Sequence, residues 1–152
     1  MKINGVEVSG PNEEFLVLPR SGGNIVFRAR AIRSFEEFDA LVPPPKAPGI
    51  RTKAGFTLNE KDPTYREQRE YYDKQRYAYM VLKSLEPSEI EWTRVKIDVP
   101  GTWVDWKDEF QEAGFNEFEI NRIQQVVSQA NSLDEGKLEE ARKNFLLGEE
   151  EG

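Results

Sequence analysis

The chain of 152 residues contains neither cysteine nor histidine. That double absence removes disulfides, thiolate nucleophiles, Ser-His and Cys-His pairs, and every zinc site built on those ligands. Carboxylate, lysine and tyrosine chemistry is what remains. No run approaches the roughly 18 consecutive apolar residues of a membrane helix, and "MKINGVEVSG" lacks the apolar stretch of a secretory leader, so a cytosolic protein is expected. Positive charge is also in deficit: 28 acidic side chains face 21 basic ones, for a net charge of −7. Such a field repels nucleic acid unless cations are concentrated locally. The one concentration is Arg20, Arg28, Arg30 and Arg33, with no acid between Ser21 and Ser34. On a strand, Arg28 and Arg30 share a face, which reads as a solvated face or a protein contact.

What is present falls into segments, and the length suits one domain over 1–152. Residues 1–33 are β-rich. "KINGVEV" alternates around Asn4-Gly5, "EFLVLPR" is a short apolar run, and "NIVFRARAI" follows the "SGGN" turn. Gly22-Gly23 lacks the further glycines and lysine of a phosphate loop and reads as a hairpin turn. In "SFEEFDALV", Ser34 and Glu37 have capping-box spacing, and Phe35, Phe38, Leu41 and Val42 fall on one helical face. Pro43, Pro44, Pro45 and Pro48 end that helix. From there to residue 62 no periodicity is visible, which predicts either a semi-rigid extended arm or a partly disordered one, serving as a linker or docking on a partner at low entropic cost.

Asp62 and Pro63 have the order of an N-cap followed by a first-turn proline, predicting a long helix over 63–86. Tyr65, Tyr72 and Tyr79 recur every seven residues beside a row of Tyr71, Ala78, Leu82 and Leu85, a stripe suited to covering a sheet or lining a subunit contact. "IEWTRVKIDV" alternates imperfectly and predicts a late strand. The region 102–148 predicts helices: "TWVDWKDEFQEA" to Gly114, "NEFEINRIQQVVSQAN" opened by Asn116 and Glu119, and "DEGKLEEARKNFLL" opened by Asp134, with a frayed "GEEEG" tail. The fold class expected is α+β: a small N-terminal antiparallel sheet packed by the long helix, with a C-terminal helical cluster.

Asp105, Asp108 and Glu109 share a helix face and could hold a hydrated magnesium ion, or simply favour the helix start through the dipole. Trp103 and Trp106 could form a packing seam or a partner anchor. From periodicity and side-chain type, the residues nominated for partner binding are Trp103, Trp106, Phe110, Ile123, Val127, Leu138 and Phe145. Some of them are expected to be core.

In their order, "FDALVPPPKAPG", "DPTYREQREYY", a tryptophan with a strand segment, and "VVSQANSLDEGKLEEARKNFLLGEEE" resemble the tail assembly chaperones of long-tailed, siphovirus-like bacteriophages. The resemblance spans about Phe35 to the end. It implies a non-catalytic helper without cofactor or metal, acting in the host cytoplasm. Such a helper binds and solubilises the tape measure protein, works beside the major tail-tube protein, associates with itself, and leaves the finished particle. It also implies that the chain is the shorter of two frameshift-related products, with "LLGEEEG" near the shift. Under that reading the proline arm reaches a neighbouring copy or the client. Two other classes stay open at this point: a permanent virion subunit such as a tail-completion or connector protein, and a magnesium-dependent enzyme using the carboxylate trio.

Overall fold

The computed structural model describes residues 1–132 and 135–151. Its strands form three separate two-stranded antiparallel hairpins, β1–β2 (Lys2–Ile3, Val6–Glu7), β3–β4 (Glu13–Leu18, Ile25–Arg30) and β5–β6 (Gly49–Thr52, Gly55–Leu58). Five α-helices accompany them: α1 (Glu36–Leu41), α2 (Pro63–Ser84), α3 (Trp106–Ala113), α4 (Glu117–Asn131) and α5 (Glu135–Glu151). The class is α+β, as expected.

Local signals account for much of this layout. Asn4 and Gly5 take positive φ, 51° and 81°, and close β1–β2 as the dipeptide requires. The Asp62 carboxylate accepts from the Tyr65 amide at 3.0 Å and Pro63 opens α2. Asn116 and Glu119 form a reciprocal capping box at α4. At α1 the expected box does not form: Phe35 occupies the N-cap position, and the Ser34 hydroxyl accepts instead from the Glu36 amide at 3.4 Å. Val42 turns extended ahead of Pro43, ending the helix where predicted.

Only β3–β4 joins the core. Its inner face presents Leu18, Phe27 and Ala29, and α4 lies across it, burying Ile120, Ile123, Val127 and Ala130. The C-terminal half of α2 packs alongside through Ala78, Tyr79, Val81, Leu82 and Leu85. The sheet is therefore covered chiefly by α4, with α2 bracing α4 and the turn at Pro100–Asp105. Trp103 is fully buried between Phe38 and Tyr79, with ring centroids 6.1 and 5.3 Å away. Phe110 joins Phe27, Trp92, Trp106 and Phe115 in a second aromatic group. Residues 63–71 of α2 bury no side chain fully: Tyr65 is half-buried and Tyr71 exposed, and the tyrosine stripe enters the core only from Tyr72 onward.

Two further expectations are corrected. The arm over 43–62 is not simply extended: Gly49–Leu58 folds as β5–β6, fully exposed, with Gly55 at φ 120° beyond the turn. The segment "IEWTRVKIDV" forms no strand, because side chains take the backbone groups that a ladder would use. The Glu109 carboxylate accepts from the amides of Thr93, Arg94 (2.9 Å) and Val95 (3.0 Å). The Thr102 hydroxyl accepts from the Lys96 amide, and the Trp103 indole donates to the Ile97 carbonyl at 3.1 Å.

A polar junction locks the layers together. The Asn131 amide oxygen accepts from the Ile32 N–H at 2.8 Å, while its nitrogen donates to the buried Ser84 hydroxyl at 2.6 Å. Asn131→Ala leaves the Ile32 donor unpaired and is expected to cost about 2 kcal/mol in urea unfolding. Ser132→Ala, one residue on and exposed, is expected to cost under about 0.5 kcal/mol.

Candidate interaction surfaces

The seven nominated residues divide sharply. Trp103, Trp106, Phe110, Ile123 and Val127 are buried in the core and present nothing to a partner in this state. Their periodicity is that of helix faces turned onto the sheet and onto one another. Leu138 and Phe145 are exposed, Phe145 to 62 %. Both lie on α5, separated by two turns and therefore on one face.

α5 differs from the other helices in burying none of its described side chains. Leu138, Phe145, Leu146 and Leu147 all face solvent, among glutamates, lysine and arginine. Lys137 meets Glu14 at 2.5 Å, which holds the first turn beside β3. The helix runs through Gly148 to Glu151, so the expected fraying after Leu147 is not seen, while the expected Asp134 cap lies outside the described residues. Helices in proteins draw most of their stability from packing one face, and four large apolar side chains add a penalty of exposure that a partner would relieve.

Two further exposed faces escaped the reading from periodicity. The outer face of β3–β4 carries Phe15, Val17 and Val26, with Arg28 stacked over Phe15 at 5.3 Å. Val17 pairs Val26 and Phe15 pairs Arg28 across the ladder. The signal was available, since "EFLVL" and "IVF" place apolar residues on both faces of the strand instead of alternating. The β5–β6 hairpin exposes Ile50, Phe56 and Leu58, and the Phe56 ring lies across Gly49 so closely that a Cβ there would overlap it. This exposed hairpin leads directly to the projecting turns of α2.

The basic cluster is partly spent. Arg20 pairs with Glu119 at 2.6 Å, an arrangement that raises the Arg20 pKa and lowers that of Glu119. Arg28 and Arg30 stand on the outer side of β4, and Arg30 lies opposite Glu13. Backbone N–H and C=O of Arg28 are both satisfied by the Ser88 hydroxyl, at 2.7 and 2.8 Å, which seals that sheet edge.

The carboxylate trio does not act as a unit. Burial works to raise the Glu109 pKa, but hydrogen bonds from the amides of Arg94, Val95 and Thr93 outweigh it and hold the carboxyl below its ordinary value. Both Glu109 oxygens are occupied in holding the backbone over 93–95, a small nest of N–H groups filled by an internal anion. Among the described residues, no three carboxylates are gathered as metal ligands. A cleft of about 400 Å³ opens beside this segment, floored by Phe27, Phe110 and Phe115 and rimmed by Glu91 and Glu112, with Glu112 paired to Arg94. Among the described residues, no helix is long and apolar enough to cross a membrane. No family model, curated protein or solved structure matches the chain.

Proposed function

We propose that the protein is a non-catalytic tail assembly chaperone that binds the tape measure protein of a long-tailed phage in the host cytoplasm while tail-tube subunits assemble around it. The observation that carries this reading is α5, a helix that exposes Leu138, Phe145, Leu146 and Leu147 and has no core to bury them in. A tape measure protein is long and helical, and its own apolar stripes need a temporary cover. The α5 helix, presenting Leu138 and Phe145 on one side, supplies that cover in the helix-to-helix manner, and the acidic surface keeps the complex dispersed. The exposed β5–β6 hairpin and the projecting end of α2 add a second reach toward the client.

Co-expression with the longest helix-rich protein encoded nearby, followed by affinity purification and sizing, tests the reading. The client is expected to become soluble and to elute with many copies of this chain. Leu138→Asp with Phe145→Asp is expected to lower client recovery at least about tenfold, since two apolar anchors are lost from an interface centre. A client that stays insoluble while this chain elutes alone overturns the proposal.

A further inference from the structure

We propose that α5 of one copy docks on the outer face of the β3–β4 hairpin of a second copy. The inference does not depend on the identity of any client. It rests on two exposed apolar faces in one chain that carry opposite charges, Glu149 and Arg28, beside their apolar residues.

The hairpin is covered on one side only. Its outer face holds Phe15, exposed to 57 %, with Val17 and Val26, an apolar patch continued along β4 by Arg28 and Arg30. A two-stranded ribbon of six-residue strands is about 20 Å long. α5, with 17 residues, is about 26 Å long, so its C-terminal turns alone, from about Lys143 onward, cover much of the ribbon. The spacing of apolar and charged groups also agrees. From Val26 to Arg28 the strand advances about 6.6 Å, and from Phe145 to Glu149 the helix advances about 6 Å on a single face. Phe145 over Val17 and Val26 thus brings Glu149 over Arg28.

Within one chain these faces do not meet, because Phe145 and Phe15 are exposed at the same time. Lys137 on Glu14 holds the first turn of α5 beside β3 while the later turns leave the domain. A second copy supplies the sheet that α5 lacks and the helix that the sheet lacks. Such a contact joins two different surfaces, so it builds either a reciprocal pair or a chain of copies.

Sedimentation equilibrium of the intact protein without client provides the test. Weight-average mass is expected to rise at least about 1.5-fold above the monomer as concentration increases to about 300 µM, the range of a small interface. Arg28→Glu and Glu149→Arg are each expected to abolish the rise, with Tm changed by less than about 2 °C because both side chains are exposed. Mixed in equal amounts, the two variants are expected to recover it: each helix then meets a sheet of opposite charge, which neither variant can do alone. A wild-type protein that remains monomeric throughout, variants that associate as wild type does, or a mixture no heavier than its components overturns the proposal. No client is present, so association is read on its own; because both readings place Phe145 in the contact, a client and a second copy compete for α5.

Discussion

Trp103→Ala is expected to destabilise the protein by about 4 kcal/mol, the largest effect of any single substitution considered. The indole is fully buried and packs against Phe38 and Tyr79, which also meet each other at 5.6 Å. Removing it opens a cavity where α1, α2 and the turn at Pro100–Asp105 converge. It also strands the Ile97 carbonyl, which accepts the indole N–H, at the moment its segment loses support. Against a total stability of about 5 to 15 kcal/mol for a domain of this kind, the loss removes between about a quarter and four fifths of it. Urea unfolding should show the midpoint fall with an unchanged slope, since the same surface is exposed on unfolding. Trp103→Phe retains most of the packing and should lose about 2 kcal/mol. Equal losses for the two variants would show that the ring contributes nothing beyond its hydrogen bond.

Glu109→Gln follows, at about 3 kcal/mol, although it alters a single atom. The carboxylate answers three consecutive amides with two oxygens, and an amide side chain must turn an N–H₂ group toward one of those donors. The pH dependence identifies the cause. The folded-state pKa lies below the unfolded value, so this contribution is complete above about pH 4.3, the ordinary value for glutamate, and is lost as the pH falls through the folded pKa. The stability gap between wild type and Glu109→Gln should therefore be constant near neutrality and narrow in acid. A gap that did not change with pH would assign the loss to packing alone.

These two side chains also mark where sequence reading succeeds and fails. Most caps and turns were legible because their physics is local: Asp62 bonds an amide three residues away, Asn116 does the same, and Asn4-Gly5 sets its own turn, although the box expected at Ser34 does not form. "IEWTRVKIDV" misled because its alternation resembles a strand while its hydrogen bonds go to Glu109, Thr102 and Trp103, residues whose arrival no periodicity announces. Hairpin β5–β6 was obscured by flanking prolines, and its four-residue strands have no covered face to impose alternation. Among the contact candidates the difficulty was of another kind. An apolar stripe shows that a helix face will be covered, and says nothing about what covers it. Ile123 and Val127 meet the chain's own sheet, whereas Leu138 and Phe145 carry the same spacing into solvent.

The division of α2 has a further consequence. Its hydrogen-bonded ladder runs unbroken from Pro63 to Ser84, yet only the part from Tyr72 onward is held by packing. Amides in the projecting turns can open by fraying alone, and those beneath Tyr79 and Leu82 open only when the core does. One continuous helix therefore spans two thermodynamic regimes. Any force applied at the β5–β6 hairpin meets a segment that can unwind and rewind at little cost before it reaches residues on which the fold depends.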